Sequence, residues 1–209
     1  VNDSIATAGL TEADEDVVSE DLGFTNIHYF AAAATQYGTS VMGGYEYVGN
    51  AYDARFDHVE PYNTCVDCHD PHTLEVKLDE CVVCHEGVED AEDLVDIRMV
   101  GSLVDYNGNG DMEEGIYFEI EGLRTMLYQA MQTYATEVAG TGIAYSEQTY
   151  PYFFIDTNSD GITDEAEANR DNRYNAWTPR LAKAAYNYQV SLKDPGRFAH
   201  GGKYIIQLL

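Results

Sequence analysis

All four cysteines of this 209-residue chain fall in two copies of one pentad. The first reads Cys65-Val-Asp-Cys68-His69 and the second Cys81-Val-Val-Cys84-His85, with eleven residues between them. C-x-x-C-H is the attachment signature of c-type haem. Two cysteines three apart can form thioethers with the two vinyl groups on one porphyrin edge. The histidine that follows is then held beneath the iron as an axial ligand. A four-sulfur zinc site would use the same cysteine pairs, but it gives no reason for a histidine after each. A bridge within C-x-x-C is usually a redox device and not a structural staple. Covalent haem, taken twice, uses every cysteine and leaves none over.

On these residues the chain resembles the multihaem c-type cytochromes, here with two haems. The Gly-, Tyr- and Ala-rich first half and its acidic beginning are similar in style to the extracellular members that polymerise into haem-lined filaments. The resemblance implies electron transfer rather than catalysis, with redox proteins or extracellular electron acceptors as partners and self-association into a filament. It also implies an extracellular or cell-surface location. A soluble periplasmic shuttle is the alternative. A dihaem peroxidase or reductase would need one iron with an open face, which the abundance of histidine and the short gap between the motifs argue against.

The chain has six histidines. His69 and His85 are the proximal pair, which leaves His28, His58, His72 and His200 for two distal positions. His72 lies three residues past His69, and C-x-x-C-H-x-x-H in the resembled family commonly caps a neighbouring haem. His28 sits among alanines that would let a porphyrin face approach the backbone. These two are the first choices, followed by His58, seven residues before Cys65, and His200 in a glycine-flanked stretch. The sixteen-residue offset between Cys65 and Cys81 keeps the haems close along the chain.

Thirty-seven acidic residues against eleven basic ones give a net charge of −26. No Lys or Arg precedes Arg55, and Glu12 to Asp21 alone carries six carboxylates. Such a surface repels nucleic acid and anionic membranes, and it favours cations and basic partners. No apolar run approaches the ~20 residues needed to span a bilayer. Since haem attachment in the resembled family follows export, Val1 is expected to follow a cleaved leader. The apolar ending, Tyr204 to Leu209, suggests either a longer native chain or a buried end.

The expected fold is mainly α with extensive irregular loops: a haem-packed N-terminal half and a helical C-terminal half with calcium-binding loops. Residues 1–22 read as an acidic arm, 23–100 as the dihaem region, and 101–209 as a helical region forming one compact unit with it. A short helix is expected from Phe24, carrying His28 and closing near Gly38, followed by irregular chain to Thr64. Two stretches suggest calcium, a hard cation that takes six or more oxygens from alternate residues of a tight loop. Asp156, Asn158, Asp160, Asp164 and Glu167, with Gly161, fit the whole EF-hand-type pattern. Asp105, Asn107, Asn109 and Asp111 fit its first part, but Ile116 stands where the closing carboxylate belongs, so Glu113 or Glu114 would have to serve. Ile116, Ile120, Leu123, Leu127, Met131 and Tyr134 predict a helix of about five turns. Thr178-Pro179 caps and opens another, with Leu181, Ala185, Tyr188 and Leu192 as its stripe.

Overall fold

The computed structural model describes residues 1–98 and 101–209. The chain runs through α1 (Asn2–Thr7), α2 (Ala32–Tyr37), α3 (Cys65–Cys68), α4 (Leu78–Cys81) and α5 (Ile116–Glu137). A hairpin of β1 (Ile143–Tyr145) and β2 (Phe153–Ile155) follows, then α6 (Pro179–Leu192) and α7 (Arg197–Leu208). The strands pair antiparallel, Ala144 opposite Phe154. Short 3-10 turns lie at Glu12–Asp14, Gly38–Ser40, Asp93–Asp96 and Arg170–Asn172.

The long helices follow their apolar spacing. On α5, Ile116, Ile120, Met131 and Ala135 are buried, and Leu127 and Tyr134 pack at the edge of the same core. At the start of α6, Thr178 Oγ1 accepts the Leu181 N–H at 3.1 Å, and Pro179 occupies the first turn, where its missing donor costs nothing. The buried face of α6 carries Leu181, Ala182, Ala185 and Val190. Two clusters make the core. Trp177, Phe153, Tyr174, Met131 and Leu181 anchor one, while Ile116, Ile120, Val190, Tyr204, Ile205 and Leu208 form the other between α5, α6 and α7.

The acidic beginning lies along its own chain. The Ser19 N–H donates to Trp177 O at 3.0 Å and the Arg180 N–H to Glu15 O at 3.0 Å. Asp16 pairs with Arg180, Glu15 pairs with Lys183, and Ile5 and Leu22 are buried in the core. Two cations of α6 thus offset part of the carboxylate run.

The helix expected from Phe24 is shorter than its alanines suggest. Ile27 N–H donates to Gln189 Oε1 at 2.7 Å and Ala31 N–H to Lys193 O at 2.8 Å, so both are committed to α6 and its end. Helix begins only at Ala32, and Gly38, at φ 48°, stops it. His28 consequently lies outside any helix. The expected boundary between the two halves, at residue 100, lies outside the described residues.

Candidate haem sites

The two cysteine motifs share one local turn. Thr64 and Asp67 open α3 with a reciprocal cap, Thr64 N–H and Oγ1–H both donating to Asp67 Oδ2 at 2.7 and 2.8 Å. Those Thr64 donors hold the Asp67 carboxyl below its ordinary range. The His69 N–H then donates to Cys65 O at 2.8 Å, and in the second motif the His85 N–H donates to Cys81 O at 3.0 Å. Each motif thus closes one helical turn, from its first cysteine to its histidine. None of the four cysteines forms a disulfide. Burial pushes the Cys68 thiol up, with further contributions from Cys81, Asp67 and Cys65. The Lys77 N–H donates to Cys68 O at 2.8 Å and Cys81 Sγ–H to Lys77 O at 3.8 Å, which ties the two motifs together. Burial also raises Cys81. Among the described residues no three His, Cys, Asp or Glu side chains converge as a protein-only metal centre, either at the cysteine motifs or in the acidic loops.

Distant parts of the chain bring a second histidine to each motif. His200 on α7 faces His69, with ring centroids 6.1 Å apart. His58 faces His85, again at 6.1 Å. Metal–imidazole bonds are about 2 Å long, so two imidazoles on opposite sides of one ion stand about 6 Å apart between ring centres. Both pairs fit that separation. The outer nitrogens of the first pair are also occupied: His69 Nδ1 lies 2.9 Å from Leu74 O, and His200 Nδ1 lies 2.9 Å from both carboxylate oxygens of Asp194. That leaves both Nε2 atoms available, the arrangement expected of metal-ligating histidine.

The delivery of each distal candidate is legible in the packing. His200 sits in α7, which is seated on α5 by the Arg197 guanidinium, 5.2 Å from the Tyr117 ring centre and paired with Glu121. His58 lies two residues beyond Phe56, whose N–H donates to Gln36 O at 2.7 Å. Just upstream, Asp53 binds Gln207 and Lys203 of α7. The chain carrying His58 is thus tied to α2 and α7 before it reaches the second motif.

The first-choice histidines are elsewhere. His72 is exposed, its N–H donating to Asp70 Oδ1 in the turn after the first motif. His28 is exposed beside Tyr29, at 6.4 Å between ring centres. Among the described residues neither faces a motif histidine. Local spacing favoured His72, but the turn closed by Asp70 aims it outward.

The acidic loops fold alike. Asp105 accepts from the N–H groups of Gly108, Asn109 and Gly110, as Asp156 accepts from those of Ser159 and Gly161. Asn158 Oδ1 accepts from the Asp160 N–H, and Asp164 Oδ1 from the Ala166 and Glu167 N–H groups. Asn107 and Asn109 both donate side-chain N–H to Glu114 Oε1, while Asp111 receives the Glu113 N–H. Glu167, 3% exposed, accepts from Thr157 N–H at 2.6 Å. Burial alone would raise its carboxyl, but the donors from Thr157 and Asp164 hold it below the usual value. The carboxylate in the equivalent place of the first loop is Glu119, fully buried, which accepts from the Tyr106 and Asn107 N–H groups at 2.9 Å. Glu119 lies on α5 among apolar neighbours. A charged residue on an otherwise apolar face is the signal that could have marked it. It is neutralised by Arg98 at 2.8 Å.

No protein-family profile matches the chain, and no solved structure matches it. Three curated proteins do. Over 90% of its length it is 26% identical to C-type polyheme cytochrome OmcC of Geobacter sulfurreducens (strain ATCC 51573 / DSM 12127 / PCA). It is 27% identical, over the same share, to C-type polyheme cytochrome OmcB from each of two strains of that organism. The chain spans about a quarter, 26%, of each relative's own length. Along nearly its whole length, then, this chain is similar to c-type polyheme cytochromes.

Proposed function

We propose that the chain carries two covalent c-type haems and transfers electrons between redox partners outside the cytoplasm. In this reading Cys65, Cys68 and His69 hold one haem, with His200 as its opposite ligand. Cys81, Cys84 and His85 hold the other, with His58 opposite. The observation that carries the proposal is the pair of facing imidazoles at each motif, both 6.1 Å apart. When bound, haem supplies a one-electron iron couple. Cys65, Cys68, Cys81 and Cys84 would anchor it, and the imidazoles of His69, His200, His85 and His58 would hold and orient the iron. A closed iron passes electrons and binds no substrate, which favours a carrier over a peroxidase.

The test is spectroscopic. His200→Ala and His58→Ala should each convert one haem from low to high spin and leave the other unchanged. Unchanged low-spin spectra in both variants would refute the ligand assignment.

Calcium at the loop opened by Asp156 belongs to the same proposal. Among the described residues no Lys or Arg pairs with the buried Glu167, whereas Arg98 answers Glu119 in the loop opened by Asp105. A bound cation at the Asp156 loop should raise the melting temperature when calcium is added and lower it on chelation; no shift in either direction refutes it. Self-association into a filament is the outermost part of the proposal. Electron microscopy of the haem-loaded protein should show ordered filaments, and discrete particles alone would remove that part.

A further inference from the structure

We propose that Asp194 is a positioning residue for the haem site of the first motif, and that it makes this site the lower-potential one of the two. The inference rests on the proposed pairing of His200 with His69. Asp194 lies in the turn between α6 and α7, with a side chain 1% exposed. Both its carboxylate oxygens stand 2.9 Å from His200 Nδ1, and Oδ1 also accepts the Gly196 N–H at 3.0 Å. Among the described residues no Lys or Arg pairs with this carboxylate. The neighbouring guanidinium, Arg197, is committed to Glu121 and donates to Asp194 only at the backbone carbonyl.

Two physical effects follow, and they have the same sign. An Nδ1–H donated to a carboxylate fixes the tautomer, points Nε2 at the metal and makes that nitrogen a stronger electron donor. A buried negative charge without a basic partner also favours the more positive oxidation state of a nearby iron, because little solvent screens it. Both stabilise ferric over ferrous iron. The facing residue, His69, donates to a neutral carbonyl, that of Leu74. At the second site neither His58 nor His85 has a ring nitrogen hydrogen-bonded to protein among the described residues. The asymmetry is therefore built into the chain: one iron site has a carboxylate behind its ligand and the other does not. The first electron added to the oxidised protein should settle at the second site.

The experiment is an optical and EPR-monitored redox titration of the haem-loaded protein and its Asp194→Asn variant, with His58→Ala identifying which signal belongs to the second site. Asp194→Asn keeps the shape and one acceptor oxygen but removes the charge. The expected result is that one potential rises, the other stays, and both haems remain low-spin. Potentials that do not move, or that move together, overturn the inference. Should Asp194→Asn not accumulate, the half-reduced unmutated protein decides the matter. A remaining ferric signal from the first site supports the inference and one from the second site overturns it. His200→Ala separates the two layers of argument. If it leaves both haems low-spin, the ligand assignment falls and this inference with it. If it behaves as expected while Asp194→Asn changes nothing, only the role of Asp194 falls.

Discussion

The stretch from Arg55 to Arg98 and the stretch from Ile116 to Leu208 are built on different principles. In the first, Val88 is the one buried residue, while Val59, Val66, Leu74, Val76, Val82 and Val83 are exposed. Its order comes from caps and turns such as Thr64–Asp67 and His69–Leu74. The second holds Trp177, Phe153, Ile120, Tyr204 and most of the buried apolar area. Fixing a residue's backbone costs roughly 1–2 kcal/mol, and apolar burial is the main term that offsets it. The helical stretch has that term within its own side chains. The cysteine-bearing stretch has almost none, and a porphyrin is the apolar body that would supply it. Folding of this segment and haem binding should therefore be one event, as with other small metal-dependent folds.

The sharpest way to break this contrast is to withhold the haem. With all four cysteines replaced by alanine, amides between 55 and 98 should exchange as in an unfolded chain, while those in α5 and α6 stay protected. Hydrogen exchange read by mass spectrometry checks this, and equal loss of protection in both stretches would end the distinction. Next in size is Trp177→Ala, which empties the centre of the larger core and should cost about 3–5 kcal/mol in denaturant unfolding. The haem spectra of the folded variant should be unaltered. Arg98→Ala strips the partner from the fully buried Glu119 and should cost about 3 kcal/mol. It probes the seam between the stretches, since Arg98 also binds the Glu114 carbonyl ahead of α5. The smallest effect is expected from Thr178→Ala, which removes the α6 cap for about 1 kcal/mol and should leave haem content unchanged.

The same contrast governs what could be read from sequence. The helices α5 and α6 were legible because apolar spacing and the Thr178-Pro179 start are local signals. Both C-x-x-C-H pentads are local signals of the same kind. That His200 and His58 face His69 and His85 is not legible in the sequence, because it depends on where α7 and the chain near Phe56 are tied. Sequence distance carries no trace of that. His28 was misplaced in a helix because Gln189 and Lys193, some 160 residues away, take the N–H groups of Ile27 and Ala31. Asp194 carries no local mark, because its importance arises only when the turn after α6 meets His200, whereas Glu119 is marked only as a charge on the apolar face of α5.

One backbone contact reaches further than its size suggests. At Gly201, the residue after His200, a Cβ would come within 2.5 Å of Thr35 O, so α7 passes α2 with no room for a side chain. At Gly202 a Cβ would meet Ile116 of α5 at 2.6 Å. Two missing methyl groups thus act as a gauge, setting how deeply α7 seats and, through it, how far the His200 ring extends toward His69. An alanine at Gly201 would push α7 off the α2 backbone and carry the His200 ring with it.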